Sequence, residues 1–153
     1  MPPARPPERT LALSLQCAVP SARAWVVRHR VRRWVRAALE WPAEITVRVV
    51  DEAEARALNR EFRGKDYATN VLTFDYQHQP QVVADLVLCA PVIEREAAEL
   101  GLSSEERLAH LVVHGTLHAQ GWDHETAAEA RRMEARESQL LVALGFGDPW
   151  IGA

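Results

Sequence analysis

Hydrophobic and polar positions alternate from Leu11 to Val19, the period-two pattern of a half-buried strand. Pro20 and Ser21 interrupt it. A helix is expected from there to about Leu39, with Ser21 as its N-cap. Its apolar stripe is Val27, Val31, Trp34, Val35 and Ala38, and Arg28, Arg30, Arg32, Arg33 and Arg36 crowd its other sides. Trp41-Pro42 closes that helix. Residues 45–50 read as a second strand. Residues 52–62, rich in Ala, Glu and Arg, read as a short helix ending near Gly64. Residues 70–76 and 82–89 give two more strands. Helices follow at about 91–100, 104–120 and 125–144. Strands thus dominate the first half and helices the second. The pattern predicts one α+β domain over residues 10–150, with a mixed sheet of about four strands packed by helices. The Pro-rich residues 1–9 read as a disordered tail.

On a helical wheel the 104–120 segment is apolar on several sides, with Leu108, Leu111, Val112, Val113 and Leu117 spread around it. Its one polar stripe is His110, His114 and His118, spanning only about 80° at 100° per residue. This predicts a buried central helix whose histidines face a cleft. Gly121 can end the helix in a left-handed turn, and His124 follows, placed to fold back on His114 and His118. Three converging imidazoles leave a fourth coordination position open, the catalytic pattern for zinc. The spacing H-x3-H-x2-G-x2-H matches the long zinc-protease motif at each ligand and at the glycine, hence a zincin-like central helix. Where that motif carries its glutamate base, this chain has Gly115. A glycine inside a helix costs about 1 kcal/mol relative to alanine. Either something approaches the helix beside the metal, or a neighbouring strand packs tightly against it. Peptide hydrolysis loses its expected base in both cases. His110 is expected to support a ligating ring rather than to ligate.

Composition adds limits. The chain has 153 residues, enough for a substantial core. It has no apolar run long enough to span a membrane and no apolar core of a signal peptide near its start, so a cytoplasmic location is expected. Cys17 and Cys89 sit in strand-like surroundings and are expected to be buried free thiols. The net charge of −3 hides an asymmetry. Residues 1–90 carry 13 Lys+Arg against 10 Asp+Glu, and residues 91–153 carry 5 against 11. Lys65 is the only lysine. Arginine pairs with phosphate bidentately and stacks on bases, so a nucleic-acid substrate is allowed. The arginines of the 21–39 helix, notably Arg28, Arg32 and Arg36, are candidate RNA contacts, set against the plainer reading of a solvated helix face.

Three stretches together resemble one family. They are Leu58–Phe74 (LNREFRGKDYATNVLTF), Ala84–Cys89 (ADLVLC), and the histidine segment with the Ala143-Leu144-Gly145-Phe146 ending. Across most of residues 45–150 their order and spacing are similar to those of the YbeY endoribonucleases. The resemblance implies a single-strand-specific, metal-dependent endoribonuclease of ribosomal RNA maturation. It points to the 3′ end of the small-subunit (16S) RNA and to ribosome quality control. It further implies His114, His118 and His124 as ligands of one zinc per chain, and Arg63 as the functional arginine. As partners it implies small-subunit ribosomal proteins and a ribosome-associated GTPase. Nickel or another divalent ion suits an imidazole site as well. Asn70, Ala68, Ala84 and Trp122 stand where the family commonly has Asp, Pro, Gly and Tyr.

Arg63 is then expected to hold the scissile phosphate. The general base is open. Asp85 lies mid-strand in an apolar run, where an unpaired carboxylate is costly, so it is a candidate to orient a histidine or cap a turn. Asp123, beside His124, is another. Two rivals stand beside this reading: a metallopeptidase, and a non-catalytic ribosome assembly factor stabilised by zinc.

Overall fold

The computed structural model describes residues 9–150. Residues 1–8, most of the expected tail, lie outside the described residues. Arg9, assigned to that tail, is ordered into the fold by a hydrogen bond from its guanidinium to the Leu39 carbonyl.

Four strands form one mixed sheet in the order β1-β2-β4-β3. They are β1 (Leu11–Cys17), β2 (Ala43–Val50), β3 (Val71–Gln77) and β4 (Val82–Cys89). β1, β2 and β4 run parallel, and β3 lies antiparallel to β4 at one edge. The helices are α1 (Arg28–Ala38), α2 (Glu52–Arg63), α3 (Ala90–Leu100), α4 (Ser104–Ala119) and α5 (Ala127–Ala143). Among the described residues no helix is long and apolar enough to cross a membrane.

The two sheet faces follow from side-chain alternation. Ala84, Leu86 and Leu88 of β4 join Leu108, Val112 and Leu117 of α4 in the main core. Val87 and Cys89, with the opposite parity, pack with Leu72 and with Ala55 of α2 in a second cluster. So α4 covers one face and α2 lies on the other, and edge strand β3 runs between them.

Three helix starts, those of α2, α4 and α5, are explained by their caps. Asp51, Ser103 and Thr126 each accept the backbone N–H three residues on, from Glu54, Glu106 and Glu129. Gly64 ends α2 with φ +70°, a conformation open to glycine and rarely to other residues.

The expected 21–39 helix is not continuous. A 3₁₀ turn over Pro20–Ala24, with Pro20 in its first turn and Val19 as its cap, precedes α1. Ser21 is therefore no N-cap. Val27 stands extended before Arg28. The β-branched pair Val26-Val27 favours such a break, and the turn it permits buries Ala22 fully. The break also redirects the arginines. Arg28 and Arg32 donate to the Leu13 and Leu11 carbonyls of β1 at 2.9 and 3.2 Å. These two candidate RNA contacts thus fasten helix to strand, and Arg28 and Arg36 are exposed. Both cysteines are free; Cys89 is buried, with its thiol pushed up by that burial, and Cys17 is only half-buried.

Candidate functional site

α4 holds His110, His114 and His118 along one face because they recur every fourth residue. Gln120 and Gly121 end the helix, with Gly121 at φ +97°. The chain then turns back and carries His124 to the other two rings. Ring centres are 6.4 Å apart for His114–His118, 5.6 Å for His114–His124 and 5.8 Å for His118–His124.

Hydrogen bonds fix which nitrogens face inward. His114 Nδ1 lies 3.0 Å from Glu137 Oε2, and His118 Nδ1 lies 2.9 Å from the Trp122 carbonyl. An ionised carboxylate and a carbonyl only accept, so both Nδ1 atoms carry the proton. Nε2 of each ring is left with its lone pair, the form that binds a metal.

Glu137 of α5 was not a sequence candidate, yet it organises this site. It is 1% exposed. Its second oxygen takes a hydrogen bond from His110 Nε2. His110 Nδ1 in turn lies 3.3 Å from Arg107 Nη1, a group that can only donate, which puts the His110 proton on Nε2. Burial pushes the Glu137 carboxyl up, but the hydrogen bonds from His110 and His114 outweigh it and hold it at about 2. His110 and the His114 ring thus share the Glu137 carboxylate. A signal for Glu137 existed: Met133, Leu140 and Leu141 form the buried stripe of α5, and a carboxylate stands in it.

The donor set fits a three-imidazole ion site in chemistry, and His114 and His118 fit it in tautomer as well. For metal–nitrogen bonds of about 2.0–2.1 Å, three such rings sit with centres ~5–5.5 Å apart. The observed spacing is slightly wider. Among the described residues no three His, Cys, Asp or Glu donors already stand at coordination distance.

Asp85 does not orient a histidine. Its parity on β4 turns it to the face opposite α4, where its Oδ2 accepts from the Tyr76 hydroxyl at 2.8 Å. Asp123 lines the cleft, but its Oδ1 accepts the backbone N–H of His124 at 2.7 Å, so it shapes the turn and not the ring. Gly115 faces β4: a Cβ there would stand 3.1 Å from Leu86 Cδ2 and 3.5 Å from Thr73 Oγ1. The neighbouring strand thus packs tightly against this position, and any side chain here would require Leu86 to give way by a few tenths of an ångström.

Arg63, at the end of α2, meets the histidines across edge strand β3. Its Nη2 donates to the Thr73 carbonyl at 2.7 Å, and its guanidinium carbon lies 5.9 Å from the Phe74 ring centre. Arg63, Lys65, Thr73, Asp123 and the three histidines line one open cleft of about 510 Å³. Beyond His114 and His124 lies a second pocket of about 320 Å³, walled by Asn70, Arg107, His110 and Trp150. There Asn70, one of the positions unlike the common family pattern, donates to Glu96 at 3.0 Å.

The chain is similar to known proteins over most of its length. The family model described as Endoribonuclease YbeY matches residues 21–145. The chain is 65% identical over 146 residues to the Endoribonuclease YbeY of Methylibium petroleiphilum, covering 95% of this chain and 98% of the relative. It is 62% identical over 145 residues to that of Paracidovorax citrulli, covering 92% and 95%. A protein of Thermotoga maritima with a known solution structure shares the fold at a TM-score of 0.56 and 24% identity, covering 92% of this chain and 99% of that one. The match runs through α2, the edge strand and the histidine turn alike, and on that ground the chain belongs to the endoribonuclease YbeY family.

Proposed function

We propose that this protein is a single-strand-specific, metal-dependent endoribonuclease of ribosomal RNA maturation and ribosome quality control. Its proposed target is the 3′ end of the small-subunit RNA. The observation that carries the reading is the meeting of Arg63 and the three histidines in one cleft. A guanidinium beside a set of metal donors is what a phosphodiester requires, because its transition state concentrates negative charge on the phosphoryl oxygens.

The chain's own residues have definite tasks. Thr73 and Phe74 hold Arg63 by its Nη2 and by the ring below it, which leaves the remaining guanidinium N–H groups for the phosphate. Glu137 and the Trp122 carbonyl hold the His114 and His118 rings. Zinc, one ion per chain, is proposed at His114, His118 and His124, with nickel or another divalent ion as the alternative. When bound, such an ion polarises a phosphoryl oxygen and lowers the pKa of water toward about 7. Small-subunit ribosomal proteins and a ribosome-associated GTPase are the proposed partners, in the cytoplasm, on the strength of the family. Arg28 and Arg32 are not among the residues that line the histidine cleft, and each gives one guanidinium N–H to β1. A metallopeptidase is disfavoured because Gly115 stands where the zinc-protease motif carries its glutamate base.

The test is cleavage of a labelled single-stranded RNA beside the same sequence in a duplex. Cutting of the single strand alone supports the reading, and equal cutting of both, or of neither, defeats it. A 2′,3′-cyclic phosphate on the upstream product would identify the substrate's own 2′-oxygen as the nucleophile. Its absence from the first product would identify water.

A further inference from the structure

Two exposed aromatic rings, Phe62 and Tyr76, stand beside the cleft without a part in the chemistry above. Phe62, on the last turn of α2, is 58% exposed. It meets Phe74 edge-on, with ring centres 5.4 Å apart and planes at 77°. Tyr76 is 64% exposed. It is the extra residue where the pairing of β3 with β4 slips, since Asp75 faces Ala84 and Gln77 faces Val83. A bulge of this kind re-aims a side chain. The Tyr76 hydroxyl is anchored on Asp85, which steadies the ring while leaving most of it in water.

Phe62, Arg63, Thr73, Phe74, Asp75 and Tyr76 line one shallow depression of about 230 Å³. Arg63 and Thr73 also line the histidine cleft, so the depression opens from the cleft at the guanidinium. Its charged groups are Arg63, at the cleft end, and Asp75, whose Oδ2 lies 2.8 Å from His78 Nε2. Away from Arg63 the surface offers ring faces and one carboxylate. It therefore suits flat uncharged groups and repels phosphates, whereas Arg63 and Lys65 in the cleft attract them.

The geometry points to a base-stacking track: RNA whose scissile phosphate lies at Arg63 lays its neighbouring unpaired bases on Phe62 and Tyr76, with Phe74 as the floor. This rests on the endoribonuclease reading and deepens it. Stacking on aromatic side chains tolerates any base, because every base has a π-face. Bases inside a duplex are already paired and stacked and cannot lie down on protein rings. The track thus supplies the single-strand preference that a phosphate site alone would lack.

The test is binding of a short 2′-O-methyl RNA, which resists cleavage, to the wild type and to Phe62→Ala, Tyr76→Ala and Phe62→Trp. Each alanine variant is expected to bind about 5- to 150-fold more weakly, the stacking of one base at about 1–3 kcal/mol converted at 1.4 kcal/mol per tenfold. Phe62→Trp should restore the loss, which a general folding defect would not permit. A 2-aminopurine placed next to the scissile position should be quenched on the wild type and regain emission on the alanine variants. If the wild type binds and cuts single-stranded RNA while both alanine variants bind it as tightly, the track is overturned and the nuclease stands. If the wild type neither binds nor cuts it, the nuclease reading fails and the track fails with it.

Discussion

Glu137→Gln is the substitution that reaches furthest into this site. The carboxylate accepts from two rings at once, and an amide offers one acceptor and one donor. In the variant one of His110 and His114 loses its partner, and the amide N–H₂ faces a ring N–H. The folded protein holds the Glu137 carboxyl at about 2 against the ordinary 4.5. At 1.36 kcal/mol per unit this difference is worth about 3 kcal/mol of stability. The sign follows from the direction. A carboxyl depressed by folding contributes fully above 4.5, and the contribution drains away as pH falls from there toward about 2. Urea unfolding of the metal-free wild type and of Glu137→Gln, from neutral to acid pH, reads it directly. At pH 7 the variant should be less stable by about 3 kcal/mol, a large part of the usual 5–15 kcal/mol margin. Below pH 4.5 the gap should narrow. A gap that is absent at neutral pH, or that stays constant into acid, would refute the bridging role. Metal affinity of the same variant should fall by about 10- to 100-fold, as when an outer partner of a ligating histidine is lost.

Other residues give sharper local tests. Arg63→Lys keeps the charge but gives up the planar fork over Phe74; RNA cleavage should drop about 100-fold or more in kcat while the melting temperature holds. Asp85→Asn should leave metal content and cleavage essentially unchanged, because its partner is Tyr76 on the far sheet face; a collapse of metal binding would restore Asp85 to the histidines. Gly115→Val should destabilise by about 1–3 kcal/mol in thermal or urea unfolding, since its branched side chain must displace Leu86 and Thr73. A neutral Gly115→Val would mean that the helix stands further from β4 than described.

The meeting of the three histidines was legible because it is local: His114, His118 and His124 lie within one helix end and one turn. Strand and helix patterning along the chain likewise announced β1 to β4 and α2 to α5 within a few positions. What was missed is what depends on distant pairing. Glu137 acquires its role from rings 23 and 27 residues away, which only the packing of α5 on α4 supplies. Asp85 was misread because its identity was weighed without its parity. Ala84 and Leu86 face α4, so the residue between them cannot. The break before α1 was hidden by the arginine-rich helical pattern that follows it. Two of those arginines turn out to serve the edge carbonyls of β1, a need that sequence alone does not reveal.

The most direct test of the central claim is cleavage of labelled single-stranded RNA by protein of known metal content, beside His114→Ala at equal purity. The account predicts that the wild type carries close to one ion per chain and cuts, and that His114→Ala loses both the ion and the cutting. Equal cutting by the two proteins would contradict it, for the histidine cleft would then have no part in the reaction.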